Sequence, residues 1–133
     1  MGKPPEREAI RHFLDLMRTG DTQSAYEAVE KMKFTLGLTG LWDLFEGHVF
    51  SSSQVPRGKP FPDLFLHAAI AMNVQPFDCV VVEDSLPGVQ AARSAGMRVL
   101  GYVGAPYADR DAMGAAGALL FRDMKQLPNL VLQ

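Results

Sequence analysis

The stretch Val80-Val81-Val82-Glu83-Asp84-Ser85-Leu86-Pro87-Gly88 places two acids and a helix start directly after a run of valines. A short continuous apolar run over residues 79–82 is typical of a strand buried on both faces of a parallel sheet. Residues 86–95 then carry a helical pattern. Because ligands bind outside the carboxyl ends of strands in open α/β sheets, Glu83 and Asp84 occupy an expected binding position.

Around this stretch, strand-like and helix-like segments alternate along the chain. The predicted strands are residues 48–51, 79–82, 98–102 and 118–121. The predicted helices are residues 63–72, 86–95 and 107–114, with a final turn over 123–127. This alternation predicts an α/β fold, with a parallel sheet, right-handed crossovers and flanking helices.

The part of the chain before residue 48 is predicted to be helical, without a strand. Two helices are predicted over residues 5–18 and 21–36, followed by a short helical turn over 41–45. No linker or repeat separates this part from the rest. We therefore predict a single domain over 1–133, with a helical N-terminal segment over 1–29 and an α/β part over 30–133.

Composition narrows the classes of protein. Hydrophobic residues make up 47% of the 133, which is enough for a core, and the net charge is −2. A basic run is absent, so binding of nucleic acid is not expected. Neither a signal peptide nor a membrane span is predicted, which makes the cytoplasm the expected location. The single cysteine, Cys79, excludes an intrachain disulfide.

Three side chains are candidates for a functional site. Two adjacent acids after a strand favour a Mg²⁺ site, since Mg²⁺ takes oxygen ligands and usually one or two carboxylates. The alternative is that Asp84 or Ser85 only caps the following helix. Lys59, between Gly58 and Pro60, is placed to act as a point charge on phosphate and on carboxylates. Its alternative is a solvated surface lysine.

These segments resemble one known family. Gly58-Lys59-Pro60-Phe61-Pro62-Asp63 is similar to the third motif of the haloacid dehalogenase (HAD) phosphohydrolases, and Glu83-Asp84-Ser85 with Gly88 to the fourth. Residues 89–97 resemble the phosphoglycolate phosphatase and β-phosphoglucomutase branch. The resemblance covers about residues 30–122. It implies a Rossmann-like sheet, a phosphatase activity, Lys59 as the phosphate-stabilising lysine, and Glu83 and Asp84 as Mg²⁺ ligands.

Two elements of that family are missing from the sequence pattern. The family's nucleophile is an Asp-x-Asp after an N-terminal hydrophobic strand, and no such segment precedes residue 48, where Asp15 and Asp21 stand in helical or turn contexts. The helical cap and the strand that ends in a phosphate-binding Ser or Thr are missing as well. The resemblance therefore implies a truncated HAD-like domain in which residues 1–29 replace, or remain from, the lost half.

The missing strands leave the hydrophobic strand over residues 79–82 with an open edge. Such an edge promotes pairing with another chain. The gap can be closed by an inward move of the strand over 48–51, by the N-terminal helices covering the edge, or by dimerisation. Of these we expect a homodimer, with elements exchanged between the copies as one form of it. Three functions follow as hypotheses. The first is a phosphatase core that is inactive alone and retains weak Mg²⁺ or phosphate binding. The second is an active phosphatase, for a phosphorylated small molecule, completed by a second chain. The third is an interaction module built on the N-terminal helices.

Overall fold

The computed structural model describes Glu30 and residues 33–133. The helices predicted over 5–18 and over most of 21–36 lie outside the described residues, so the interaction module built on them stays a prediction. The chain divides into two compact units at Pro56 and Arg57, and each unit is described by itself.

The described part of the first unit contains short helices joined by turns. Its elements are α1 over residues 33–38, α2 at Trp42–Phe45 and a 3₁₀ turn at Ser52–Gln54. At the end of α1, the Thr39 hydroxyl lies within hydrogen-bond distance of the carbonyls of Thr35 and Leu36. The prediction of a short helical turn over 41–45 is confirmed by α2.

The prediction of a strand over residues 48–51 is wrong. These residues are not part of the described sheet, and the backbone donors of two of them have local partners. The His48 N–H donates to the Phe45 carbonyl at 2.8 Å. The Ser51 N–H donates to the Gln54 side chain at 2.9 Å, in a capping box that begins the 3₁₀ turn. Side-chain bonds of this kind compete with strand pairing.

The second unit carries a parallel sheet of three strands in the order β1-β2-β3. The strands are β1 at Val80–Glu83, β2 at Arg98–Tyr102 and β3 at Leu119–Phe121. Val81 lies beside Val99 and Glu83 beside Gly101. Because Val81 and Glu83 are two positions apart in one strand, their side chains point to the same face. The predicted α/β class and Rossmann-like parallel sheet are confirmed, with three of the four predicted strands.

Helices connect and flank the strands. They are α3 at Asp63–Ala71, α4 at Leu86–Ser94, α5 at Arg110–Ala115 and α6 at Leu127–Val131. Their order along the chain follows the prediction. Within the described part of the chain, none of these helices is long and apolar enough to cross a membrane.

The core of the second unit lies between β1, β2 and the helices α3, α4 and α5. The largest fully buried side chains are Leu100, Met113, Val89 and Val99, and all of them except Leu100 belong to this core. β1 alternates between half-buried and buried positions, so its burial on two faces is less complete than predicted. The helix α4 packs against both β1 and β2, and its first turn therefore faces the end of β1.

Candidate active site

Glu83 is the last residue of β1 and lies under the first turn of α4. It shares a face of the strand with Val81, which is part of the core, and only 6% of it is exposed. A Cβ at Gly88 would overlap the Glu83 carboxylate, so the helix can approach that carboxylate only with glycine there. The resemblance flagged Gly88 as part of the motif; the close approach gives its physical reason.

Lys59 comes from a loop that is closed by a bidentate ion pair. Arg57 donates to both oxygens of Asp63, at 3.2 Å from Nε and 2.8 Å from Nη2. The Arg57 guanidinium also stacks on Phe61, at 4.4 Å from the ring centre. The Lys59-Pro60 peptide bond in this loop is cis. Because the two ends of the loop are held together, Lys59 at its centre has a defined position.

The Lys59 ammonium forms an ion pair with Glu83 Oε1. It also lies 5.1 Å from the ring centre of Phe65 in α3. The side chains are only 14% and 8% exposed, so Lys59 is not the solvated surface lysine of the alternative interpretation. The two motifs predicted to share a site, 24 positions apart in sequence, are thus in direct contact.

Ser85 is the cap of α4. Its hydroxyl accepts a hydrogen bond from the Gly88 N–H at 3.4 Å and donates to Glu83 Oε2 at 3.2 Å. The capping alternative therefore applies to Ser85 and not to Asp84. Both oxygens of Glu83 accept hydrogen bonds, Oε1 from Lys59 and Oε2 from the Ser85 hydroxyl and the Asp84 N–H, whereas the Asp84 carboxylate has a different partner.

One partner of the Asp84 carboxylate is Tyr107, which the sequence analysis did not identify. Its phenol hydroxyl donates to Asp84 Oδ2 at 3.1 Å. Asp84 is 3% exposed, and Tyr107 comes from the segment between β2 and α5. Because the carboxyl ends of parallel strands share one edge of the sheet, a polar residue shortly after β2 was the available signal.

The donor set fits a divalent cation. Two buried carboxylates, Glu83 and Asp84, stand beside one lysine, which leaves an excess of negative charge. Among the described residues no three His, Cys, Asp or Glu side chains gather at one point. Mg²⁺ tolerates this, because it keeps several waters and uses one or two carboxylates together with phosphate oxygens.

An Asp-x-Asp triplet occurs in the chain at Asp109-Arg110-Asp111, outside the N-terminal segment in which the family carries its nucleophile. This triplet follows a loop and not a strand. Asp109 accepts a hydrogen bond from the Ala112 N–H at 3.1 Å as the cap of α5, and Asp111 is exposed in the first turn. The triplet is therefore a helix start and not a nucleophile.

One carboxylate beside the site has a shifted pKa. The hydrogen bond from Arg57 lowers the pKa of Asp63 below its usual value, and the same bond raises the pKa of Arg57. Arg57 and Asp63, which close the loop that carries Lys59, are therefore both charged at neutral pH.

Comparisons with known proteins point to one family. The sequence model of haloacid dehalogenase-like hydrolases matches residues 16–96, and so begins before residue 30, the start of the resemblance inferred from the motifs. A phosphorylated carbohydrates phosphatase from Thermotoga maritima is 37% identical over 134 residues, with 95% of this chain and 59% of the relative covered. A phosphoglycolate phosphatase from Nitrosospira multiformis is 36% identical over 92 residues, covering 68% and 40%.

A solved structure shows the same architecture. A haloacid dehalogenase-like protein of unknown function from Agrobacterium tumefaciens superposes with a TM-score of 0.72 at 32% identity, over 94% of this chain and 59% of that one. The chain spans about half the length of these relatives. Family model, curated relatives and solved structure agree, and the chain belongs to the haloacid dehalogenase-like hydrolase family.

Proposed function

We propose that residues 57–133 form the Mg²⁺- and phosphate-binding part of a phosphatase active site that acts on a phosphorylated small molecule. The observation that carries the proposal is the contact of Lys59 with Glu83 at the carboxyl end of β1, beside Asp84. The proposed cation ligands and the proposed phosphate-binding lysine thereby meet at one edge of the sheet. The names of the two curated relatives, a phosphorylated carbohydrates phosphatase and a phosphoglycolate phosphatase, support this class of substrate.

Each residue has a separate role in the proposal. Asp84 is the principal ligand of Mg²⁺, which neutralises phosphate charge when bound. Glu83 adds negative charge to the cation site and holds Lys59 by the ion pair. Lys59 is the point charge for the phosphate. Glu83 remains a predicted ligand as well, since release of Lys59 to a phosphate would leave Glu83 Oε1 open to the cation.

We expect the 133-residue chain by itself to bind Mg²⁺ and phosphate weakly and to turn over no phosphate ester. Phosphoryl transfer in two steps needs a nucleophile, and the sequence has no Asp-x-Asp after a strand. Loss of a nucleophile costs many orders of magnitude in rate.

The test combines binding and turnover. Calorimetric titration with Mg²⁺ is expected to show binding that Asp84→Asn abolishes and Glu83→Gln weakens. Asp111→Asn, at an exposed position of the Asp109–Asp111 triplet, is the matched control and should bind as the wild type does. Lys59→Met should weaken binding of inorganic phosphate. Equal Mg²⁺ titrations for the wild type and Asp84→Asn would remove the metal role.

Hydrolysis of p-nitrophenyl phosphate with Mg²⁺ decides between two forms of the proposal. Absence of turnover supports the incomplete site. Turnover that Asp84→Asn removes would mean that the chain contains a nucleophile outside the motifs, and the expectation of inactivity would be wrong.

A second candidate is completion of the active site by another chain. It is favoured by the position of β1, which is the terminal strand of the described sheet and carries an apolar sequence. Pairing of this strand with a strand of a second copy or of a partner would satisfy its backbone groups. A monomeric mass in solution would contradict the homodimer, and turnover that appears only on mixing with a chain carrying an Asp-x-Asp strand would support the second chain.

A further inference from the structure

A pocket outside the candidate active site lies at the carboxyl ends of β2 and β3. Its volume is about 270 Å³, and the residues that line it are Val103, Arg110, Leu120, Phe121, Arg122 and Gln126. Val103 directly follows β2 and Arg122 directly follows β3, so the pocket lies at the edge of the sheet where open α/β sheets bind ligands. Lys59, Glu83 and Asp84 are not among its lining residues.

The lining of this pocket combines an apolar part with positive charge. Val103 belongs to the buried core, and Leu120 packs against that core. The Val103 N–H donates to the Phe121 carbonyl at 2.9 Å, so the apolar part has a fixed backbone. Arg110 and Arg122 add two positive charges. Sites for small molecules have this composition, in which apolar walls carry a small number of placed polar groups.

The two arginines of the pocket have no acidic partner. Within the described part of the chain, no carboxylate forms an ion pair with Arg110 or Arg122. Asp109 and Asp123 precede and follow them in sequence, but each accepts a hydrogen bond from a backbone N–H of the helical turn that it begins, at 3.1 and 3.0 Å. Asp111 is exposed and does not line the pocket. The two positive charges are therefore available to an anion from solvent.

We propose that this pocket binds the phosphate group of a small organic molecule, at a site separate from the proposed Mg²⁺ site. A guanidinium is planar and always charged, and its fork of N–H donors matches the oxygens of a phosphate. Two such groups suit the two negative charges of a phosphate monoester, and the apolar part of the pocket suits its organic group. Because β2 separates β3 from β1, the ends of β3 and β1 lie about 10 Å apart at the usual strand spacing. A phosphate held by the two arginines lies outside contact distance of Asp84, so we expect its affinity to be independent of Mg²⁺.

The experiment follows the amide signals of Val103 and Leu120 by NMR of the whole ¹⁵N-labelled chain. The probe is phenylphosphonate, a stable analogue of a phosphate monoester with an apolar ring, added in the presence of EDTA so that no divalent cation takes part. Arg110→Gln and Arg122→Gln each remove one positive charge from the pocket. Arg93→Gln is the matched control, because Arg93 is an exposed arginine in the last turn of α4 and does not line the pocket.

We expect phenylphosphonate to shift both signals to a saturating value, and each of Arg110→Gln and Arg122→Gln to lower its affinity about tenfold, the usual effect of losing a hydrogen bond between charged groups. Arg93→Gln should bind as the wild type does. Benzoate, which has the same ring and one negative charge, should bind more weakly. Both pocket arginines are exposed, and a positive charge in the first turn of α5 does not favour that helix, so the two variants should fold normally.

Four results would overturn the phosphate site in this pocket. They are the absence of a shift in the wild type, an unchanged affinity in both pocket variants, an equal loss in Arg93→Gln, and equal affinities for phenylphosphonate and benzoate. An affinity at these signals that Mg²⁺ raises would also overturn it, because the ligand would then lie at the proposed Mg²⁺ site. Since the titration contains no divalent cation, its failure leaves the proposed function standing, and a failure of Asp84 to bind Mg²⁺ leaves this pocket standing.

Discussion

Two ion pairs of the second unit join a basic residue of one loop to a carboxylate, but their surroundings differ. Arg57 and Asp63 form a bidentate pair with side-chain exposures of 56% and 14%. Lys59 and Glu83 form a pair with exposures of 14% and 8%. The bidentate pair lies nearer the surface, and the pair with a single contact is nearly buried. Environment, more than geometry, therefore decides what each pair contributes to stability.

Burial changes the meaning of an ion pair in two ways. A surface pair gains little, because water and salt screen it. A buried pair adds little net stability either, yet removal of one partner is expensive because a charge is left without compensation. The outer pair should therefore act by holding the loop, and the inner pair should act as a unit whose halves depend on each other.

The largest expected effect comes from a new carboxylate on the face of β1 that carries Glu83, at a position where no lysine can pair with it. Val81 and Glu83 share that face, and Val81 is 8% exposed. Val81→Asp should lower the free energy of unfolding by about 5 kcal/mol or more and leave much of the protein unfolded, because an unpaired charge would be buried.

Chemical denaturation of Val81→Asp measures this loss. Val81→Ala is the control for lost packing and should cost roughly 2 kcal/mol. Equal stability of the two variants would show that the lysine partner is not what makes Glu83 tolerable on this face.

Removal of Lys59 should give the next largest effect. Lys59→Met keeps much of the side-chain volume but leaves the Glu83 charge nearly buried, so we expect a loss of about 3 kcal/mol in unfolding free energy. The double variant Lys59→Met/Glu83→Gln should recover part of that loss, since both charges are then gone. Strictly additive losses in urea denaturation would contradict an interdependent pair.

Gly88→Ala should disturb the ion pair of Lys59 and Glu83 from the side of α4. The new Cβ would overlap the Glu83 carboxylate, and the expected cost is about 1–3 kcal/mol from overpacking. Gly114→Ala is the matched control in α5, where the nearest atom to the new Cβ is a Leu120 methyl at 3.4 Å. That control should gain up to about 1 kcal/mol from helix propensity, so thermal melts should move in opposite directions.

The part of the candidate site that lies in one short motif was predictable from the sequence. Glu83 and Asp84 follow an apolar run directly, and this order alone predicted their place at a strand end. The contact of Lys59 with Glu83 followed from the resemblance and not from spacing. The position of Tyr107 shortly after β2 indicated that it lies near the site, but its contact with Asp84 depends on a loop path that no local pattern encodes.

The fold shows the same division between local and non-local information. The strand over 98–102 was predicted with its bounds, because it has a neighbour on each side to pair with. Residues 48–51 have a comparable pattern but are not part of the described sheet, and the Ser51 N–H is engaged by the Gln54 side chain. Propensity describes a segment, whereas a strand is a property of at least two segments.

The smallest expected effect belongs to the outer pair, and its dependence on pH separates it from the inner one. Arg57 lowers the pKa of Asp63 through their hydrogen bonds. A lowered pKa in the folded state stabilises above the ordinary value of about 3.9, and this contribution is lost as the pH falls through the lowered pKa. Arg57→Ala should therefore be slightly less stable than the wild type at pH 7, by a difference that salt reduces. The difference should vanish in strong acid, where Asp63 is protonated in both proteins.

NMR titration of the Asp63 carboxyl should show its pKa rising towards the ordinary value in Arg57→Ala. A stability difference that persists unchanged in strong acid would mean that Arg57 acts by packing on Phe61 and not by its charge, and the outer pair would then resemble the inner one in depending on contact more than on screening.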